Sequence, residues 1–246
     1  MSVVLETSQL DKRFGGIHVT NGVSLQLRAG ERVGLIGPNG AGKTTLVNLI
    51  SGVLRPSSGQ IHLAGNDVTT MSQAGRVRRG LVRTFQLTTL APHLPVQRQV
   101  ELALFEREGL TWRAWRCIDD FPNLSQEAAQ LLRQFGLEPH AARATESLAY
   151  GEQRLLEMVL AVALRPCVLL LDEPMAGVPP GESARLLKAI DALPSELAVL
   201  IIEHDMDLVF RFARRIVVLT DGKVLADGTP GEIRDNPAVR SAYLGH

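Results

Sequence analysis

The chain is short of cysteine, carries no surplus charge of either sign, and has no long apolar run; each shortage removes a class of function. The two cysteines, Cys117 and Cys167, have no metal-ligand spacing. That excludes a disulfide framework and points to reduced, structural thiols in a cytosolic protein. Lys+Arg and Asp+Glu both number 26, so the formal net charge is zero. A nucleic-acid binder would usually show a basic excess, and no nucleic-acid partner is expected. The longest apolar runs, such as Met158 to Leu164, fall far below the roughly 18–20 residues that span a bilayer. The opening MSVVLETSQLDKRFGG meets Glu6 and Asp11 and lacks the apolar run of a signal peptide. A role at a membrane would therefore require docking on another protein.

What the chain does have is 246 residues, 45% of them hydrophobic and 21% charged. That is enough for one large core, or a core carrying a smaller insertion. Its most informative stretch is GPNGAGKTT, Gly37 to Thr45. It fits GxxxxGK[ST], with the apolar RVGLI (Arg32 to Ile36) before it and a helix-like TTLVNLISG after it. Glycines at those places let backbone N–H groups point inward around an anion, and the helix N-terminus adds partial positive charge. Lys43 would reach the terminal phosphates, and the Thr44 hydroxyl would hold a magnesium ion.

Residues 3 to 36 read as an antiparallel, strand-rich start, in which Val23 to Leu27 alternates with period two. A short strand IHL follows the first helix, and LVRTFQ forms another that ends on Gln86. From about 87 to 148 the pattern turns helical, over Gln97 to Glu108 and Ser125 to Leu137, with the stretch between them carrying no clear period. Strands then return. CVLLLD (Cys167 to Asp172) and AVLIIEH (Ala198 to His204) are continuous apolar runs, as expected for strands buried on both faces of a mostly parallel sheet. Gly181 to Leu193 is the crossover helix between them, and Asp221-Gly222 marks a hairpin.

Four further stretches place polar groups where a nucleotide hydrolase needs them. Asp172 and Glu173 end a buried strand and are stopped by Pro174; in phosphate-loop proteins such acids hold the metal and polarise the attacking water, although a strand end can also carry two merely solvated acids. His204 closes the next strand, a position where a lone histidine is more often structural. Gln86 is unremarkable alone. In LAYGEQRLLEMVLAVAL, Gly151 sits where a second helix begins, giving a second anion-friendly N-terminus.

Taken in order, the phosphate loop, Gln86, LAYGEQ, LLLDEP and the histidine of IIEHD resemble the nucleotide-binding subunits of ABC transporters over essentially the whole chain. FGGIHVTNGVSL, YGEQRLLE, IIEHDMDLVF and the tail from Ile216 are similar to the larger ATPase subunit of bacterial branched-chain amino-acid importers. The resemblance implies an α/β P-loop NTPase fold with a mostly parallel core sheet and an N-terminal antiparallel β subdomain. The single domain, 1–246, would have its core in 1–86 and 149–246 and an inserted helical subdomain at about 87–148. Sister subunits for urea, amides or lipopolysaccharide share much of the pattern, and a soluble ABC ATPase not tied to transport is the alternative reading.

The roles the resemblance implies concern ATP and Mg2+. Gly37, Pro38, Asn39, Gly40, Ala41, Gly42, Lys43, Thr44 and Thr45 would cradle the phosphates. Thr44, Gln86 and Asp172 would serve the magnesium, Glu173 would be the general base or water-positioner, and His204 would sense the γ-phosphate. Phe14 is placed to stack on adenine, or else is a core phenylalanine. Leu148, Ala149, Tyr150, Gly151, Glu152 and Gln153 would cap ATP held by a second ATPase subunit in a head-to-tail homo- or heterodimer. The dimer would dock on membrane-spanning permease subunits at the cytoplasmic face of the bacterial inner membrane and would be served indirectly by a solute-binding protein. Leu90, Leu94 and Val96 would present apolar surface to the permease, or else belong to the core. Two departures stand out: Ala149 replaces the signature serine, and Pro179 replaces the usual Asp or Asn. Both would weaken the site completed by this chain's signature rather than the one holding Lys43.

Overall fold

Alternating apolar and polar residues form two long strands, β1 (Val3–Phe14) and β2 (Ile17–Arg28), which pair antiparallel. The structure, a computed structural model, describes residues 2–84, 90–110 and 120–244. After β3 (Arg32–Ile36) comes helix α1 (Lys43–Ser51), then β4 (Ser58–Leu63), β5 (Asn66–Asp67), α2 (Gln73–Arg78) and β6 (Leu81–Arg83). Among the described residues the α-helices that follow are α3 (Val96–Arg107), α4 (Pro122–Gln134) and α5 (Tyr150–Ala163). The chain continues with β7 (Val168–Asp172), α6 (Pro180–Asp191), β8 (Ala198–Ile202) and α7 (Met206–Phe212). It continues with β9 (Arg215–Thr220), β10 (Lys223–Gly228), α8 (Pro230–Asp235) and the short α9 (Pro237–Val239), which runs into a π-helical turn, Arg240–Leu244.

Contacts divide the chain into two units, residues 1–83, 167–173 and 194–246 in the first and residues 84–166 and 174–193 in the second. The second unit is wider than the expected insertion of 87–148, because α5 and α6 group with the inserted helices.

The first unit holds both sheets. One is antiparallel, in the order β2-β1-β4-β5; the other runs β10-β9-β3-β8-β7-β6. In the second, β9, β3, β8, β7 and β6 are parallel and only the edge strand β10 is antiparallel. Thus β3 leaves the antiparallel start and enters the parallel sheet. The apolar runs of its strands are explained by burial on both faces. Val33, Leu35, Leu200, Ile202, Val217 and Leu219 join a core with α1 and the antiparallel sheet. Their neighbours Ile36, Ile216 and Val218 face a second core with Val209 of α7 and Ile233 of α8. Burying each such side chain contributes roughly 1.5–3 kcal/mol.

Two expected boundaries move. The strand ending in IIEHD stops at Ile202, so His204 lies beyond it. The strand in LVRTFQ is described only to Arg83; Gln86 lies outside the described residues. Gly52 does end α1, with φ of 83° and its N–H bonded to Leu49 O. The wholly buried Arg76 then caps the same helix end, its guanidinium donating to Leu49 O at 2.7 Å and Ile50 O at 2.6 Å.

In the second unit α3, α4 and α5 pack on one another, and α6 packs on α5. Val96, Val100, Leu104, Ala128 and Leu132 are fully buried there. Val96 is therefore core, not docking surface; Leu94 is exposed and Leu90 half-buried. Arg107 at the end of α3 grips Glu127 of α4 through two bonds of 2.7 and 2.8 Å, and donates to Ala163 O at the end of α5. One guanidinium thus ties three helices together.

Candidate functional site

The phosphate loop is held in place from behind by backbone. Gly42, the N-cap of α1, has φ of 95°, and a Cβ there would meet Val19 O of β2 at 2.6 Å. Only glycine fits that approach. The turn of the β9–β10 hairpin supports the loop as well. Asp221 and Gly222 both have positive φ, as in a type I′ turn, and the Gly222 N–H donates to Ala41 O at 3.1 Å while Asn21 N–H donates to Gly222 O at 2.8 Å. No side chain caps α1. Its first N–H groups, which have no intrahelical partner, are left for an anion.

Beside the loop lies a cleft of about 300 Å³, lined by Asn39 to Thr45 with Val19, Glu173 and His204. Three separate segments thereby bring Lys43, Thr44, Glu173 and His204 to one place. Lys43 is buried and its ammonium donates to Gly37 O at 2.6 Å and Pro38 O at 3.0 Å. Burial pushes its pKa below the ordinary 10.5, and the negative charge of Glu173 opposes that shift.

Glu173 takes an unusual backbone conformation, φ of 47°. Such a left-handed state costs a non-glycine residue on the order of 1–3 kcal/mol. Its N–H donates to Ile202 O of β8 at 2.9 Å, and Pro174 follows immediately. The turn carries the side chain off the strand end into the cleft, where Oε1 lies 2.9 Å from His204 Nε2. His204 follows β8 and Glu173 follows β7, so neighbouring strands supply the pair.

Asp172 does not line the cleft. Its carboxylate is only 4% exposed and is paired with the guanidinium of Arg83. Arg83 was not among the residues expected at the site. Thr44 is exposed on the cleft wall, and among the described residues no group of three or more His, Cys, Asp or Glu could form a metal cage. The Thr44 hydroxyl is a donor that suits magnesium, which keeps several waters and leans on substrate phosphates, and Asp172 lies behind the cleft wall rather than on it. Phe14 is not a core residue: it is 46% exposed, with Lys12 Nζ 5.1 Å from its ring centroid, and it is not among the residues lining the cleft.

The second helix start, in the helical unit, is also built. Ala149 is the N-cap of α5, and its N–H donates to Glu152 Oε2 at 3.0 Å. Only that half of a capping box can form, since alanine offers no acceptor. Gly151 N–H donates to Glu182 Oε2 at 2.6 Å. Leu148 is buried, Tyr150 is 38% exposed with its hydroxyl donating to Ala176 O, and Gln153 Nε2 donates to Leu148 O. Cys167 is half-buried, burial raises its pKa, and its Sγ donates to Gly80 O at 3.4 Å. It precedes the start of β7.

The family description "ABC transporter" matches residues 20–176, and "Branched-chain amino acid ATP-binding cassette transporter" matches residues 223–246. The chain is 41% identical over 249 residues to the high-affinity branched-chain amino acid transport ATP-binding protein BraF of Pseudomonas aeruginosa, covering 98% of each chain. It is 37% identical over 249 residues to the lipopolysaccharide export system ATP-binding protein LptB of Acidithiobacillus ferridurans, covering 100% of this chain and 98% of that one. Among solved structures, the ADP conformation of MJ1267, an ATP-binding cassette of an ABC transporter, matches with a TM-score of 0.84 at 27% identity over all of both chains.

Proposed function

Because the chain belongs to the ABC transporter family of ATP-binding cassettes, we propose that it is the ATP-hydrolysing subunit of an importer for branched-chain or closely related amino acids. The observation that carries the hydrolase reading is the meeting of Lys43, Thr44, Glu173 and His204 in one cleft. The substrate class rests on the tail, residues 223–246, and on the higher identity to BraF than to LptB.

In this reading the loop N–H groups and Lys43 bind the β- and γ-phosphates, and the exposed ring of Phe14 offers a face on which a base stacks. Glu173 takes a proton from the attacking water, and His204 holds the carboxylate in position through the 2.9 Å contact. Thr44, Asp172 and Gln86 would hold a magnesium ion, which would supply neutralising charge on the phosphates. The core and the inserted helical subdomain divide the labour between nucleotide and permease, with exposed Leu94 part of the docking surface.

The signature, Leu148 to Gln153, faces the nucleotide of a second ATPase subunit in a head-to-tail pair. Ala149 lacks the hydroxyl that would donate to that nucleotide, a bond worth roughly 1.5–3 kcal/mol, and Pro179 has no backbone donor. The pair is therefore asymmetric, and the site with Lys43 turns over faster. The subunit sits peripherally on the cytoplasmic face of the membrane, bound to its permease.

The test is reconstitution in proteoliposomes with the permease, the partner ATPase and the solute-binding protein, followed by uptake of radiolabelled leucine. Uptake and ATP turnover are expected together, and both are lost in Lys43→Ala. Turnover without uptake of leucine, isoleucine or valine overturns the substrate class. Turnover indifferent to Lys43→Ala overturns the hydrolase reading.

A further inference from the structure

Arg83 ends β6, beside β7 in the parallel sheet, with Arg83 in register with Leu170. Its side chain is 9% exposed, and its guanidinium is held from two sides. One nitrogen, Nη2, donates to Asp172 Oδ2. The other, Nη1, donates to Asn48 Oδ1 at 2.6 Å and to Ser51 Oγ at 3.4 Å. Asn48 stands four residues after Thr44 on α1, so both lie on one helix face. Arg83 therefore joins the face of α1 that bears Thr44 to the end of the strand that bears Asp172. It engages one oxygen of that carboxylate, Oδ2.

We propose that Arg83 is a positioning residue for magnesium: it sets the orientation of Asp172 and its place relative to Thr44, without itself touching metal or nucleotide. A plain structural ion pair would need only the Asp172 bond. The additional clamp onto the side chains of Asn48 and Ser51 fixes the guanidinium plane, and hence which carboxylate oxygen is turned away from it. The planar fork of arginine allows that two-sided grip, and the point charge of lysine does not. The proposal rests on the reading of Thr44 and Asp172 as the groups that serve the metal.

The test uses the full chain, with manganese as the probe in place of magnesium. Two quantities are measured: ATP affinity in EDTA, and manganese affinity of the ATP-bound protein by electron paramagnetic resonance. Replacing groups that orient a metal's ligands typically costs about 10–100-fold in metal affinity. Arg83→Met is expected to weaken manganese binding about tenfold while metal-free ATP affinity stays within about twofold, and Arg83→Lys is expected to recover only part of the loss. Asn48→Ala, which releases the clamp without unpairing the buried charge, is expected to weaken manganese in the same direction and keeps the test available if Arg83→Met fails to fold. On an Asp172→Asn background the Arg83 change should add nothing. If Arg83→Met, or Asn48→Ala in its place, leaves manganese affinity unchanged or weakens metal-free ATP equally, the proposal is overturned. If the wild-type protein binds no manganese with ATP, the underlying reading of the metal site fails instead.

Discussion

The carboxylate of Glu182 accepts a hydrogen bond from the backbone N–H of Gly151 at 2.6 Å, so the start of α5 already holds an anion supplied by α6. The helix end favours negative charge there, and a Cβ on Gly151 would collide with the Glu182 side chain. Glu182→Ala is expected to lower the stability of the chain by about 1.5 kcal/mol, the low end for a half-buried charged bond, as read from urea denaturation. In the proposed head-to-tail pair this helix start would also face the partner's nucleotide, and one N–H donor cannot serve both acceptors fully. ATP-dependent association with the partner subunit is therefore expected to tighten in Glu182→Ala, followed by sedimentation velocity. Weaker association in a folded variant would contradict that assignment.

Ala149 stands where an N-cap side chain would accept from the first turn of α5. Ala149→Ser completes the capping box that Glu152 already half forms. The expected gain is about 1 kcal/mol, measured as a raised denaturation midpoint. Turnover at the partner's nucleotide should rise in the same variant, because the hydroxyl also restores the missing donor.

The left-handed backbone at Glu173 sets stability against function. Glu173→Gly removes a conformational penalty on the order of 1–3 kcal/mol and loses about 0.4–1 kcal/mol through greater freedom of the unfolded chain. The variant should be modestly more stable than the wild type by thermal melting and inactive as a hydrolase. A clear loss of stability would show that the strain argument is wrong.

Acid should loosen the helical unit through Glu127. Hydrogen bonds from Arg107 hold its pKa below the ordinary 4.5 against the opposing effect of burial, with the charges of Arg107 and Arg165 adding to them. Because the folded value is depressed, the stabilisation is complete above the ordinary 4.5 and is lost as pH falls through the folded value. Glu127→Gln is expected to lower stability at pH 7 and to flatten its decline toward about pH 3, compared by urea midpoints at several pH values.

Much of this site was legible because its signals are local. GPNGAGKTT states its own turn and helix start, and the apolar runs of β7 and β8 announce burial on both faces. Asp172, Glu173 and His204 could be found as polar groups abruptly ending such runs. What could not be found depends on distant pairing. Arg83 looks like one more charge in LVRTFQ until β6 sets it beside Asp172, far away in sequence. Glu182 reads as a first-turn acid of its own helix, which is a sufficient reason for it, and nothing in its spacing points to Gly151. Val19 contributes a backbone oxygen, for which side-chain identity carries no signal. Val96 reads equally as surface or core, because a single apolar residue at a helix start does not say which way it faces.

Under the proposed function, Glu173 activates water at a nucleotide bound by Lys43. Single-turnover hydrolysis of radiolabelled ATP by the assembled complex tests it, comparing wild type with Glu173→Gln in this subunit alone. A positioned general base contributes about 10²–10⁴-fold. A loss of that order is expected in the faster phase, with ATP still bound at wild-type affinity. Wild-type hydrolysis by Glu173→Gln, or a loss no larger than that from the matching change in the partner, would contradict it.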